Sequence, residues 1–102
     1  MNRGDIWWAF VDKKRPVVLI SRQEAYAVRA LVIAAPVSTT VRGFAVEVKV
    51  GKREGLPKSG VINCDWIVTI PKSALKRRVG TLSAAKRMQL NEALAFALGL
   101  DE

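Results

Sequence analysis

Two short groups of residues in this chain carry side chains suited to chemistry on a phosphate. The first is Lys13, Lys14 and Arg15, three consecutive cations directly before an apolar run. The second is the hydroxyl cluster Ser38 to Thr40. Taken separately, each has an ordinary explanation, as an arginine at a strand edge and as a polar turn. Together they are the parts needed to hold one phosphodiester: a planar fork of N–H donors with a hydroxyl beside it.

The residue types that are missing narrow the chemistry further. The chain has no histidine and one cysteine, Cys64, so a serine–histidine mechanism and a histidine- or cysteine-rich metal site are excluded. Its carboxylates show no ligand spacing, and it contains no glycine-rich phosphate loop and no dinucleotide fingerprint. We therefore expect no metal and no cofactor, and we expect Cys64 to pack as a small apolar residue.

One reaction suits so small a set of groups. RNA carries its own nucleophile, the 2′-OH next to the phosphate, so a protein that aligns this oxygen and neutralises charge on phosphorus can cleave without a metal. The products would be a 2′,3′-cyclic phosphate and a 5′-OH, and DNA would not be cut. Because arginine stays protonated in proteins, Arg15 is assigned the electrostatic role, with proton donation to the leaving oxygen left open. The general base is unassigned.

The charge of the chain also points to a polyanionic partner. Seventeen lysines and arginines against nine aspartates and glutamates give a net charge of +8. Such a field attracts nucleic acid first, an acidic protein second and an anionic membrane a distant third. Lys76 to Arg78, with Lys86 and Arg87, extend the positive field, although an ordinary solvated face explains them equally well.

Short apolar runs separated by polar turns predict the elements that position these groups. The predicted strands are Ile6–Val11, Val17–Ile20, Leu31–Ala35, Phe44–Val50 and one or two within Val61–Ile70. The segment from Asp12 to Pro16 is predicted to form the first turn, and Pro36 to end the third strand. The segment SRQEAYAVRA is predicted to be a loop or a single helical turn.

A change of period near the end of the chain predicts one amphipathic helix. It begins after Ser83 or Thr81 as N-cap, places Leu90, Leu94 and their neighbours on one face, and ends at Gly99. Five or six strands followed by one helix favour a mainly β fold, a small and strongly bent barrel in one domain over residues 1–102. Without a signal-peptide pattern or a run long enough to cross a bilayer, the protein is expected in the cytoplasm.

Six short segments of the chain match, in order, those of one known family. They are RGDIWW (3–8), RPVVLIS (15–21), VIAAPVSTT (32–40), FAVEV (44–48), D-x-I (65–67) and VGTLS (79–83) before a helix ending in LGL. With this order and spacing, the chain resembles the MazF/PemK-like toxins (mRNA interferases) of bacterial type II toxin–antitoxin systems over nearly its whole length.

The resemblance implies a dimeric SH3-like β-barrel and a metal-independent, sequence-specific endoribonuclease that cuts mRNA, or tRNA or rRNA, and so inhibits translation and growth. It also implies an antitoxin whose acidic, extended tail occupies the RNA groove. Arg15 takes the position of the catalytic arginine. Ser38 takes that of the catalytic threonine, with Thr39 as the neighbouring alternative. Lys13 and Lys14 are then expected to contact flanking phosphates.

Two departures from the family pattern bear on RNA recognition. The connection Asp12-Lys13-Lys14 replaces a longer, glycine-rich loop, which should change target choice more than chemistry. Asp65 and Trp66 replace the usual D-Q or E-Q pair and are candidate RNA-binding residues; Trp66 either stacks on an RNA base or packs in the core. We expect the other two tryptophans, Trp7 and Trp8, to be core residues.

Two other functions remain alternatives at this point. A CcdB-like gyrase poison shares the barrel without cleaving RNA, but depends on a terminal Trp-Gly-Ile where this chain ends Leu-Gly-Leu-Asp-Glu. A non-catalytic SH3-like RNA-binding module would need the positive charge but not Arg15 together with Ser38.

Overall fold

A computed structural model describes residues 1–100 and Glu102, and folds them into seven strands and two helices. The strands are β1 (Asp5–Phe10), β2 (Lys14–Leu19), β3 (Leu31–Ser38), β4 (Glu47–Val50), β5 (Gly60–Asn63), β6 (Val68–Pro71) and β7 (Leu75–Thr81). The helices are α1 (Ala25–Val28) and α2 (Ala84–Ala97), and short 3₁₀ turns lie at Lys52–Glu54 and Lys72–Ala74. The mainly β fold with a C-terminal helix is confirmed, with more strands than the five or six predicted.

The strands form one curled antiparallel sheet. Its order is β4-β5-β3-β2-β1-β7, with β6 paired to β3. Short connections between sequential strands permit this antiparallel pairing without crossover helices. Strand β3 is the centre of the sheet because it pairs with β2, β5 and β6 along different parts of its length.

Both faces of the sheet carry an apolar core. In the larger of the two cores, Val18 packs with Leu90 and Leu94 of α2. We call the sheet face that carries this core the large-core face and the opposite one the small-core face. On the small-core face, Val17 and Leu19 pack with residues of β1, β3, β6 and α1. Because side chains of a strand alternate between faces, this division assigns each strand residue of the candidate site to one face.

The first turn is shorter than predicted. Strand β2 already begins at Lys14, and Arg15 lies opposite Ala9 of β1. Three cations and a proline in sequence have the composition of a turn. In the structure, however, Lys14 pairs with Phe10 and Pro16 pairs with Trp8 within the hairpin, although Lys14 is exposed. The turn is therefore limited to residues 11–13, and the sheet register extends to Arg15.

Strand β3 does not end at Pro36 as predicted but continues to Ser38. Proline is tolerated in a strand where its missing N–H interrupts no ladder hydrogen bond. The pairing of β3 with β5 and β6 is interrupted at this point, because β6 pairs only up to Ala34 and β5 only from Val37. Ser38 is consequently held in a strand, opposite Val61, rather than in a loop.

Strand β7 was not predicted. It pairs with β1 along the edge of the sheet. Leu75 is buried in it and Val79 half-buried, whereas Lys76 to Arg78 are all exposed. Three consecutive exposed cations remove the alternation of apolar and polar residues that identifies a half-buried strand.

The remaining strand predictions agree with the structure more closely. In the segment predicted as Phe44–Val50, the strand starts only at Glu47, but Val46, Val48 and Val50 are buried and Lys49 is exposed, as the alternation indicated. The segment Val61–Ile70 contains the two strands β5 and β6.

The predicted helix is confirmed as α2. The hydroxyl of Ser83, its N-cap, accepts a hydrogen bond from the Lys86 N–H at 3.1 Å. Gly99 follows the helix with φ +68°, the left-handed conformation that glycine adopts at helix ends. The single helical turn predicted in SRQEAYAVRA is α1. No helix among the described residues is long and apolar enough to cross a membrane.

Candidate active site

Arg15 lies on the small-core face, at the end of β2. Val17 and Leu19, on the same face of this strand, are fully buried, and the Arg15 side chain is 15% exposed. Its aliphatic stem therefore continues the core and its guanidinium reaches the surface, as arginine side chains at the border of a core usually do.

The guanidinium is hydrogen-bonded to Asp12, three residues earlier in the chain. Arg15 Nε donates to Oδ1 at 2.9 Å, and Nη2 donates to Oδ2 at 3.0 Å, which makes a bidentate pair. These hydrogen bonds hold the pKa of the Asp12 carboxyl below its ordinary value of 3.8, so it is ionised at neutral pH. An arginine has five N–H groups, and Asp12 uses two; the other three remain for a ligand.

Trp66 covers one face of the same guanidinium. The Arg15 Cζ lies 4.7 Å from the centroid of the Trp66 ring, which is a cation–π contact. Trp66 is half-buried, lies just before β6, and packs into neither core. Its interpretation as a core residue is therefore wrong, and stacking on an RNA base stays a prediction.

A turn between β5 and β6 brings Trp66 to this position. Ile62 of β5 pairs with Val37 of β3, and Val68 of β6 pairs with Ala34 of β3. Five residues, 63–67, separate Ile62 from Val68, whereas two residues separate Ala34 from Val37. The surplus forms a turn that contains Asp65, which is exposed and donates its N–H to Asn63 Oδ1 at 3.0 Å. An RNA contact of Asp65 also stays a prediction.

Ser38, not Thr39, shares the face of Arg15. The last pair between β2 and β3 is Val17 with Pro36, and Arg15 and Ser38 each lie two residues beyond it, on the same alternation as that pair. Thr39, on the opposite alternation, lines a cavity of about 190 Å³ together with Trp8 and other large-core-face residues. Ser38 Oγ accepts the Thr40 N–H at 3.1 Å, which leaves its hydroxyl proton free to donate.

Lys13 of the turn and Lys14 of β2 are both exposed, and Lys14 lies on the cavity side. Lys14 Nζ is 5.8 Å from the centroid of the Trp8 ring, and Trp8 is half-buried and lines the cavity. The expectation of a core residue is thus wrong for Trp8, whereas Trp7 packs against the small core. Lys13 extends from the turn itself, and phosphate contacts of the two lysines remain a prediction.

Two residues that support this site were missed from the sequence. Asp12 was read only as part of the turn, although its place three residues before Arg15 was the available signal. Gly60 of β5 packs so closely that an added Cβ would lie 2.5 Å from the carbonyl oxygen of Ser38. No sequence pattern indicated that contact.

Not all of the surrounding basic residues are free. Arg78 Nε lies 3.4 Å from Oδ2 of the buried Asp5. Arg87 Nη1 donates to the Leu82 carbonyl at 2.7 Å. Lys76 Nζ likewise donates to the Ser73 carbonyl at 2.9 Å, so these three cations have structural partners, and Arg77 is exposed on β7.

The described residues contain no group of three or more metal-ligating side chains. Cys64 is buried, and burial raises the pKa of its thiol to about 11. It therefore stays protonated at neutral pH and packs as a small apolar residue, as predicted.

Comparison with known proteins identifies the family. The model of the family described as the PemK-like, MazF-like toxin of type II toxin–antitoxin systems matches residues 2–98. This chain belongs to that family. Among curated relatives of this MazF-like chain, endoribonuclease MazF3 of Mycobacterium tuberculosis H37Rv is 41% identical over 93 residues, which cover 91% of this chain and 90% of the relative. The probable endoribonuclease MazF5 of the same strain is 30% identical over 99 residues, covering 94% and 91%.

Solved structures agree with this assignment. The Mycobacterium tuberculosis toxin MazF-mt6 superposes with a TM-score of 0.91 at 40% identity, over 96% of this chain and 99% of that one. A mycobacterial endoribonuclease in complex with its cognate antitoxin superposes with a TM-score of 0.88 at 29% identity, over 98% and 96%. The resemblance to MazF/PemK-like toxins is confirmed, and it sets aside the CcdB-like gyrase poisons.

Proposed function

We propose that this MazF-like chain is the toxin of a type II toxin–antitoxin system and acts as an endoribonuclease on single-stranded RNA. Family membership and the names of its relatives support the activity. The geometric support is one arrangement: the Arg15 guanidinium, fixed by Asp12 and Trp66, on the same sheet face as the Ser38 hydroxyl.

The proposed reaction is transfer of the phosphate to the neighbouring 2′-OH. The 2′ oxygen forms a bond to phosphorus and loses its proton, while the bond to the 5′ oxygen breaks and that oxygen gains a proton. A 2′,3′-cyclic phosphate and a 5′-OH result. The three free N–H groups of Arg15 bind the non-bridging oxygens, and Ser38 donates a hydrogen bond to one of them.

This chemistry relies on alignment more than on acid–base catalysis. The only carboxylate hydrogen-bonded to Arg15 in the described chain is Asp12, and its lowered pKa makes it a poor base. We therefore assign Asp12 the role of a positioning residue that orients the guanidinium. Lys13 and Lys14 contact flanking phosphates, and Trp66 is the candidate for stacking on an RNA base.

The partners follow from the same assignment. We propose that RNA and a cognate antitoxin with an acidic tail compete for this cationic surface, and that the toxin works as a homodimer in the cytoplasm. A complex between toxin and cognate antitoxin among the structural neighbours supports the antitoxin as a partner. The single buried cysteine, Cys64, suits a reducing compartment.

The test is cleavage of a labelled RNA in excess EDTA by the purified protein and its Arg15→Ala and Ser38→Ala variants. Arg22→Ala is the matched control, because Arg22 also pairs with a carboxylate, Glu24, but lies outside the site. We expect RNA products with cyclic phosphate ends and no cleavage of the matching DNA. Of the two arginine variants, Arg15→Ala should lose cleavage and Arg22→Ala should retain it. RNA binding without cutting by the unaltered protein would instead indicate a non-catalytic RNA-binding module.

A further inference from the structure

A second cationic surface has neither Arg15 nor Ser38 among its lining residues. It is a cavity of about 520 Å³ at the end of β4. We call it the cationic groove, and its basic residues are Lys49, Lys52, Arg53 and Lys86. They come from β4, the following 3₁₀ turn and the first turn of α2, so the fold gathers three separate segments around one depression.

The groove adjoins a smaller cavity that lies beside the candidate active site. It shares Ser59 and Gly60 with the cavity of about 190 Å³ that Thr39 and Trp8 line. Thr39 directly follows Ser38, and Gly60 contacts the Ser38 backbone. A strand of RNA leaving Ser38 over Thr39 would therefore meet the cationic groove at Ser59 and Gly60, the residues that the two cavities share.

The cations of the groove are available to a ligand. Ion pairs among residues 1–100 and 102 involve Asp12, Glu24 and Asp5, and none of the four groove cations. The carboxylate that lines the groove, Glu54, is buried, and its Oε1 accepts the Gly51 N–H at 2.7 Å. Lys86 Nζ donates to the Lys49 carbonyl at 2.6 Å, which fixes one cation at the wall with two N–H groups to spare.

This arrangement fits a nucleic acid better than an acidic peptide. A nucleic acid carries one negative charge per nucleotide at regular spacing, and it matches cations distributed along a groove. An endonuclease also cuts within a strand, so the strand must continue past the site in both directions. The cations of the groove meet the first condition, and its position next to the cavity that Thr39 lines suits it to one of the two directions.

We propose that the cationic groove binds the phosphates of the RNA strand on one side of the cleavage position, with Lys52 and Arg53 as the principal contacts. Both side chains are exposed. The identity of the ligand as substrate RNA rests on the proposed function, but the affinity of the groove for a single-stranded phosphate backbone does not. Single-stranded DNA carries the same phosphates without a 2′-OH, so it measures the groove separately from cleavage.

The experiment compares the double variant Lys52→Gln/Arg53→Gln with the control Arg22→Gln/Arg29→Gln, which removes two exposed cations elsewhere. Binding of a fluorescein-labelled, mixed-sequence single-stranded DNA of about 12 nucleotides is followed by anisotropy at several salt concentrations. We expect about tenfold weaker binding by the groove variant, and a salt slope lower by about 1.4, since each single-strand phosphate contact contributes about 0.7. The control is expected to retain both values.

Cleavage then assigns the groove to the substrate. The groove variant should lower kcat/KM on RNA of about 12 nucleotides and leave it unchanged on RNA of about four that ends near the site. The proposal would be overturned if the groove variant bound DNA as tightly as the control does. It would also be overturned if the groove variant lost binding to an acidic peptide and not to DNA, because the groove would then serve a protein. Failure of the unaltered protein to cleave any RNA, with DNA binding still dependent on Lys52 and Arg53, would count against the nuclease and not against the groove.

Discussion

Replacing Arg15 by lysine tests whether the site needs a fork of donors or only a positive charge. Arg15 gives two of its five N–H groups to Asp12, and in the proposed reaction the other three bind the phosphate. A lysine has three N–H groups; one bonded to Asp12 leaves two, without the planar group that stacks on Trp66. Loss of one preorganised donor at a reacting oxygen costs about 10²–10³ in rate. We therefore expect Arg15→Lys to lower kcat about 100-fold and to change KM less than about threefold, because the charge is kept.

The assay is single-turnover cleavage of an RNA with one target site, which separates the chemical step from binding. Arg22→Lys is the matched control, since it makes the same change at an ion pair with Glu24 outside the site. Cleavage by Arg15→Lys within about threefold of the unaltered protein would refute the reasoning from donor geometry. Together with an inactive Arg15→Ala, it would mean that a point charge at this position is sufficient.

Three further predictions follow from the same geometry. Ser38→Ala should lower kcat about 100-fold and Thr39→Ala less than about threefold, because only Ser38 shares the face of Arg15; equal losses in single-turnover assays would contradict this placement. Gly60→Ala should cost about 1–3 kcal/mol in urea unfolding and also lower kcat, since its Cβ would displace Ser38; unchanged stability and activity would show that the strands can separate freely. Burial raises the pKa of Cys64 to about 11 and of Tyr26 to about 12. Because the folded state keeps these protons longer than the unfolded chain, stability present at neutral pH should decline above a pH of about 9, less steeply in Cys64→Ala; equal slopes in urea titrations would contradict it.

The parts of the fold that sequence patterns predicted are those in which one physical signal dominates. The helix α2 has a cap at Ser83, a glycine after its end and an apolar face between them, and all three indicate the same element. Strand β4 shows clear alternation around Lys49. Strand β7 was missed because Lys76 to Arg78 lie exposed at a sheet edge, where no burial pattern forms. Pro36 led to the opposite error, because it predicted the end of a strand that in fact continues to Ser38. Proline is tolerated within β3 because the pairing with neighbouring strands is interrupted there.

The candidate site shows the same division. Arg15 and Ser38 could be named from residue type, order along the chain and resemblance to a family. Their alignment depends on the register between β2 and β3, which is a property of the folded sheet. The choice between Ser38 and Thr39 likewise depends on the face to which each residue points. The contact of Trp66 with Arg15 requires the turn between β5 and β6, and sequence spacing does not reveal where such a turn directs a side chain.

A site without histidine places an unusual demand on the scaffold. An enzyme with a well-matched acid and base gains rate from proton transfer, whereas the reaction that we propose gains it from holding the phosphate and the 2′-OH in line. The precision comes from the sheet: alternation along β2 and β3 places Arg15 and Ser38 on one face, a three-residue turn carries Asp12 to the guanidinium, and Gly60 lets β5 approach Ser38. Changes that only shift the backbone should therefore impair cleavage nearly as much as removal of a reacting group. That expectation separates a catalyst built on alignment from one built on acid–base groups, in which small backbone shifts leave much of the proton-transfer contribution intact.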